Sequence, residues 1–175
     1  MSIKSIKYRT LVERHRVSVY YYAFSFLKNE MDAEDLSQEV WIKVWNNLDK
    51  FGWNKAKSWI LKTTHNLAID SLRKRKMNFN EITENEVELL SDESYESNPG
   101  RLAEVSSSIM NIEEAVSRLP ERLRSVFILY EIEGFKYKEI AEILKIPVNS
   151  VKVYLMRARI KLQEMVQPLK EEIYE

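Results

Sequence analysis

The sequence predicts an all-α protein made of two small helical domains joined by a flexible acidic linker. Three observations lead there. Glycine and proline are scarce, three and four in 175 residues, too few for a turn-rich β fold. Apolar residues recur at helical spacing across 1–80 and again across 109–175. The charge sums to zero but is unevenly placed. Residues 1–80 hold fifteen Lys/Arg against eight Asp/Glu, 81–108 hold one Arg against eight acids, and 109–175 hold eleven of each. Two folded units with an acidic connection between them account for that distribution, and each is long enough to bury a core.

The first helix is expected from about Ser5 to Lys28, with Leu11, Val12, Val19, Tyr22, Phe26 and Leu27 near helical spacing. Asn29 to Asp32 breaks it. Asp32 is the expected N-cap of a second helix, Ala33 to Leu48, and Glu34 and Asp35 favour its positive end. An irregular piece, 49–56, precedes a third helix from about Lys57 to Lys76. Residues 81–108 then have too few apolar side chains to bury themselves and read as linker. Helical spacing returns at Ile112, Ala115, Val116 and Leu119, and again at Leu123, Val126, Phe127 and Tyr130, with Gly134 as a stop. Tyr137–Leu144, the turn Lys145-Ile146-Pro147 and a last helix from Val148 to about Met165 are the parts of a helix-turn-helix. Lys145 stands where glycine is commonest, and a left-handed backbone there costs a side-chain-bearing residue about 1 kcal/mol.

Three helix faces carry chemistry. On the last helix Val151, Leu155, Ala158 and Leu162 share one sector that faces the preceding helix. The other side offers Asn149, Lys152, Val153, Met156 and Arg157, flanked by Arg159 and Lys161. Four bases and no acid on such a side suit phosphates and guanine edges in a major groove, while an exposed Val153, Tyr154 and Met156 suit thymine methyls. A plain solvated basic face is the alternative, and the helix and tight turn before it argue against that. On the third helix Trp59, Lys62, Thr63, Asn66, Asp70 and Arg73 share a face, and the helix ends in the basic run Arg73-Lys74-Arg75-Lys76. Aromatics stack on unpaired bases and amides read base edges, so single-stranded or melted DNA fits this face. The alternative is that Trp59 is core and the rest wet surface. On the second helix Asp35, Gln38, Glu39, Ile42 and Asn46 form a stripe whose carboxylates repel phosphates, which suits a protein partner. A helix dipole alone also draws acids to a first turn.

These stretches resemble a known family. DAEDLSQEVWIKVW (32–45), WILKTTHNLAIDSLRKRK (59–76) and LPERLRSVFILYEIEGFKYKEIAEILKIPVNSVKVYLMRARIKL (119–162) together resemble the extracytoplasmic-function sigma factors of the bacterial sigma-70 family. The resemblance implies an RNA polymerase specificity subunit, with sigma region 2 at 1–80, the linker at 81–108 and sigma region 4 at 109–175. It implies that Asp35, Gln38, Glu39 and Ile42 dock on the β′ coiled coil of the polymerase core. It gives Phe51, Trp59, Lys62, Asn66, Asp70, Arg73, Lys74 and Arg75 to the promoter −10 element. It gives the helix-turn-helix, from Asn149 and Ser150 to Lys161, to the duplex −35 element. An anti-sigma factor is implied as a further partner, able to hold the protein at a membrane. Two positions depart from the family. Lys152-Val153-Tyr154 replaces a common Lys/Arg-Ser-Arg, and His65 replaces the usual arginine before the asparagine.

The remaining signals exclude more than they add. Cysteine is absent, so thiol metal sites and disulfides are not expected and a reducing cytoplasm fits. Neither a signal peptide nor the roughly 18-residue apolar run of a membrane span is visible. The two histidines, His15 and His65, read as structural or surface groups, and no glycine-rich phosphate loop or metal cluster accompanies them. No enzyme, cofactor or small-molecule substrate is therefore expected. A stand-alone helix-turn-helix regulator explains the C-terminal part but leaves the N-terminal helices without a task. A helical adaptor with no role on DNA leaves both basic faces unexplained.

Overall fold

The computed structural model describes residues 2–83 and 112–166, and among these it is helical throughout with short connections and no strand. Helix α1 is Ile3–Leu27. The Ser2 hydroxyl accepts the Ser5 N–H at 3.1 Å at its start, and Lys28 in the left-handed region (φ 53°) ends it, its N–H on Phe24 O at 2.9 Å. Helix α2 is Glu30–Asn47. Its N-cap is Asn29, whose side chain accepts the Asp32 N–H at 3.0 Å, not the expected Asp32. Asn29 is extended (φ −142°, ψ 126°) and as good an acceptor as aspartate, so the helix begins about a turn early.

Helix α3 is Trp53–Thr83, longer at both ends than the expected Lys57–Lys76. The irregular piece therefore shrinks to 49–52. Neither glycine nor proline interrupts 53–83, so nothing in the backbone stops the helix at the basic run. Residues 81–83, expected as linker, continue α3, and the rest of the expected linker (84–108) lies outside the described residues.

The C-terminal part holds α4 (Ile112–Ser117), α5 (Glu121–Phe127), a π turn (Ile128–Ile132), α6 (Tyr137–Leu144) and α7 (Val148–Val166). Pro120 precedes α5, and Gly134 takes the positive φ (74°) expected of a stop. Glu139 accepts the Lys136 N–H at 2.8 Å at the start of α6. Lys145 closes α6 at φ 55°, the predicted left-handed turn.

Helices α1, α2 and α3 close around Leu11, Val19, Tyr22, Val40, Val44, Ile60, Leu61 and Ala68, all buried. Ile140 and Ile143 of α6 meet Val151 and Leu155 of α7 in the same continuous core. Burying each such side chain contributes roughly 1.5–3 kcal/mol. That core also crosses from one half to the other, because Val116, Val126, Leu129 and Phe135 belong to it.

Polar groups tie the same seam. The Lys57 ammonium bonds Glu133 O at 2.6 Å and its carboxylate at 3.1 Å, and Ser18 donates to that carboxylate at 3.1 Å. Arg124, 9% exposed, donates to Ser25 O at 2.8 Å and Leu119 O at 2.6 Å, its guanidinium 4.9 Å from the Phe26 ring centre. Its Nε has no partner. Burial lowers the Arg124 pKa, opposed by Glu121 and Tyr22, and a guanidinium in a protein stays charged.

Candidate nucleic-acid interfaces

On α3 the buried positions Ile60, Leu61, Thr64 and Ala68 anchor the helix, which turns Asn66, Asp70, Arg73 and Lys74 outward. Lys62 and Thr63 are half-buried on the same side. Trp59 is half-buried as well, and its ring stacks on Phe51 at 4.8 Å and 23°. Phe51 itself is only 7% exposed. The expected aromatic pair therefore exists, but Phe51 supports Trp59 from below and presents little surface of its own. The basic tail is partly tied: Arg73 bonds Asp70 at 2.8 Å, while Arg75 bonds Asp32 and reaches Leu27 O at 3.3 Å. Arg75 thus braces α3 against the start of α2.

Behind this face lies His65. Its Nδ1 and the Tyr22 hydroxyl share a hydrogen bond of 3.0 Å, and burial lowers its pKa to about 4, so it is neutral near pH 7. Burial pushes the Tyr22 phenol upward, keeping its proton in place. His15 is also buried, its pKa lowered by burial and then by Lys57 and Arg14. Neither histidine is exposed.

On α2 the buried Ala33, Leu36, Val40 and Val44 face α1 and α3. Asp35, Gln38, Glu39, Ile42 and Asn46 are all exposed, and Ile42 is 61% exposed. Glu39 pairs loosely with Lys43 at 3.7 Å, an exposed contact of little energetic weight. Beside Gln38, Val17, Tyr20 and Trp41 line an open groove between α1 and α2. The expected stripe is one accessible surface.

On α7 Val151, Leu155 and Ala158 are buried, while Asn149, Lys152, Val153, Met156, Arg157 and Lys161 are exposed and Ser150 half-buried. The helical spacing predicted this division. Tyr154, read as exposed from the sequence, instead packs half-buried against the cluster of Leu119, Leu123 and Ala158. Arg159 is on the flank and is tied, its Nε and Nη2 on one Glu131 oxygen at 2.8 and 2.5 Å. That carboxylate raises the Arg159 pKa further and compensates its charge locally. Lys152 lies 5.9 Å from the Tyr137 ring centre.

Several residues that build these surfaces carry no sequence signal. Lys7 binds the turn beneath Trp53, and Ser18, Lys57, Arg124 and Glu133 join the halves. Their partners lie 41 to 115 positions away, beyond any local pattern. Among the described residues there is no group of three or more His, Cys, Asp or Glu able to hold a metal ion, and no helix long and apolar enough to cross a membrane.

Known proteins share this arrangement. The profile "Sigma-70 region 2" matches residues 11–77, and "Sigma-70, region 4" matches 109–162. The chain is 33% identical to the ECF RNA polymerase sigma factor SigW of Bacillus subtilis over 91% of its own length and 88% of that protein. It is 32% identical to the ECF RNA polymerase sigma-E factor of Escherichia coli K12, covering 79% of this chain and 75% of that one. The fold also matches the sigma factor RpoE in its complex with the anti-sigma factor NepR from Bartonella quintana. That match has a TM-score of 0.71 and 24% identity, covering 91% of this chain and 96% of that one. CnrH in complex with the cytosolic domain of CnrY matches at TM-score 0.63 and 23% identity, over 92% and 88% of the two chains.

Proposed function

This chain belongs to the extracytoplasmic-function RNA polymerase sigma factors, and from that premise we propose how its surfaces divide the work of transcription initiation. It is an RNA polymerase sigma factor. The exposed α2 stripe of Asp35, Gln38, Glu39 and Ile42 docks on the β′ coiled coil of the polymerase core. The α3 face captures the −10 strand as the duplex opens. There Trp59, supported by Phe51, provides an aromatic surface, Asn66 reads a base edge and Lys62, Arg73 and Lys74 hold phosphates. Asp70 orients Arg73, and Arg75 fixes the helix to α2. The exposed α7 face reads the −35 duplex through Asn149, Ser150, Lys152, Val153, Met156 and Arg157, with Arg159 and Lys161 at its edges. Residues 1–80 and 109–175 thus carry two promoter-reading faces on a shared core.

One observation carries the reading. Helices α3 and α7 both bury their apolar sides in one continuous core and both turn their basic sides outward. The protein acts in the cytoplasm without catalysis, cofactor or small-molecule substrate. A protein of the anti-sigma kind, as NepR is in its complex with RpoE, restrains it.

Run-off transcription with purified bacterial core polymerase over genomic fragments tests this. New start sites sharing one −10 and one −35 element are expected only when this protein is added. Selective binding of duplex promoter without core, and no new start sites with it, would instead make the chain a stand-alone regulator.

A further inference from the structure

From Val148 to Leu162, α7 carries Lys152, Arg157, Arg159 and Lys161 and no acid of its own. The acid that meets these bases comes from another element. Glu131, in the π turn, accepts Arg159 Nε and Nη2 on one carboxylate oxygen at 2.8 and 2.5 Å. Among the described residues this is the one ion pair that joins α7 to another element.

An aromatic ledge lies beside the pair. Tyr130 and Tyr137, the first residue of α6, stack at 5.1 Å and 21°. The Arg159 guanidinium lies 5.7 Å from the Tyr130 ring centre, and the Lys152 ammonium 5.9 Å from that of Tyr137. Lys152 and Arg159 are two helical turns apart on one side of α7, so the stacked rings serve both. Only Arg159 also has a carboxylate.

An ion pair this exposed adds little to stability, and the buried Ile140, Ile143, Val151 and Leu155 already fix α7. Its consequence is electrostatic. A phosphate approaching Arg159 also approaches Glu131, so the pair offers a polyanion almost no net charge, while Lys152 keeps its own. Attraction to the phosphate backbone is the same for every sequence. Neutralising one base at the edge of a reading helix therefore lowers affinity for arbitrary duplex. A reader that must find one site among many unrelated ones gains from that.

We infer that Glu131 is a specificity-determining residue of the −35 interface, which together with the Tyr130 ring holds Arg159 off the phosphates and keeps binding to arbitrary duplex weak. The inference rests on the −35 role proposed for α7.

The test uses full-length protein bound to core polymerase, a duplex carrying the −35 element found by run-off mapping, and a scrambled duplex of equal length. Glu131→Gln should tighten the scrambled complex severalfold and steepen its slope of log affinity against log salt by about 0.9, the value of one added phosphate contact. The −35 duplex should gain less, because base contacts fix the register there, whereas a scrambled duplex lets α7 settle wherever the freed arginine fits. Discrimination then narrows, and Glu131→Asp, which keeps the charge, should recover most of it. Adding Arg159→Gln to Glu131→Gln should cancel the gain. A gain that persists would be a general effect of net charge and would overturn the restraint. Weaker binding of both duplexes with a lowered unfolding midpoint would make the pair a structural brace and overturn it too. Arg157→Ala separates the inference from the reading beneath it. If it weakens the −35 complex while Glu131→Gln changes neither duplex, the restraint is overturned and the −35 reading stands. If neither variant matters, the −35 assignment itself falls.

Discussion

The α3 and α7 faces both offer basic and polar groups, yet they hold them differently. On α3 Arg73 is bonded to Asp70, Arg75 to Asp32, and Trp59 is stacked on Phe51. On α7 Lys152, Val153, Met156 and Arg157 stand exposed on a straight helix, and Arg159 at the flank is tied to Glu131. An unpaired strand is floppy, so a surface that captures it gains from groups already fixed in place. A duplex is stiff and brings its own order. Free side chains on one rigid helix can then adapt to the groove. The N-terminal surface is preorganised and the C-terminal one is adaptable.

The largest expected effect that separates the halves is acid sensitivity. Both histidines lie in the N-terminal half, and burial lowers the His65 pKa from 6.5 to about 4. The unfolded chain takes up a proton in that interval before the folded one does. Stability from neutral His65 is therefore complete above pH 6.5 and falls as pH drops toward 4, by about 1.4 kcal/mol per unit and on the order of 3 kcal/mol in all. Urea midpoints between pH 7.5 and 4 should show this slope, and His65→Gln should flatten it. Hydrogen exchange near pH 5 should loosen α3 before α7; simultaneous loosening would break the comparison.

Next in size is Asn66→Ala. Losing a base-edge contact of about 1–3 kcal/mol should reduce promoter opening roughly 5- to 150-fold while duplex −35 binding holds. Permanganate footprinting and a mobility shift read the two separately, and equal loss of both would remove the division of labour. Lys152→Ala and Arg157→Ala should do the reverse. Each should weaken the −35 duplex and lower the slope of log affinity against log salt by about 0.9 per phosphate contact removed. Arg73→Ala should change that slope less, because Asp70 already compensates its charge. Reversing charge with Asp35→Lys or Glu39→Lys should weaken core binding at least fivefold in a pull-down titration, and unchanged affinity would sink the docking assignment. The smallest effect belongs to the turn of the helix-turn-helix. Lys145→Gly relieves the left-handed strain at φ 55° and should raise stability by at most about 1 kcal/mol, read as a slightly higher melting temperature with −35 binding unchanged.

What the sequence made legible follows from the range of each interaction. The α6–turn–α7 unit was readable to the residue at three of its four boundaries, because Pro147 and the spacing of Ile140, Val151 and Leu155 are local signals. The α2 stripe and the outward side of α7 were readable for the same reason. Asn29 was missed as a cap because Asp32 is an equally plausible acceptor three residues on, and only backbone conformation decides between them. Tyr154 was placed outside because its spacing falls between the buried and exposed sectors. Lys7, Arg124 and Glu133 were invisible. Each looks like an ordinary charge on a helix or at its end until the partner 41 to 115 residues away is known.

The π turn shows how such distant contacts are aligned. The Glu133 N–H bonds Ile128 O at 2.9 Å, five residues back, so this stretch contains one residue more than α-helical spacing needs. Losing any one residue between 128 and 132 would restore ordinary spacing and swing Glu133 about 100° around the axis, away from Ser18 and Lys57. Substitution tunes how strongly the two halves hold each other. A single-codon deletion misaligns them, so the joint is written in residue count as well as residue type.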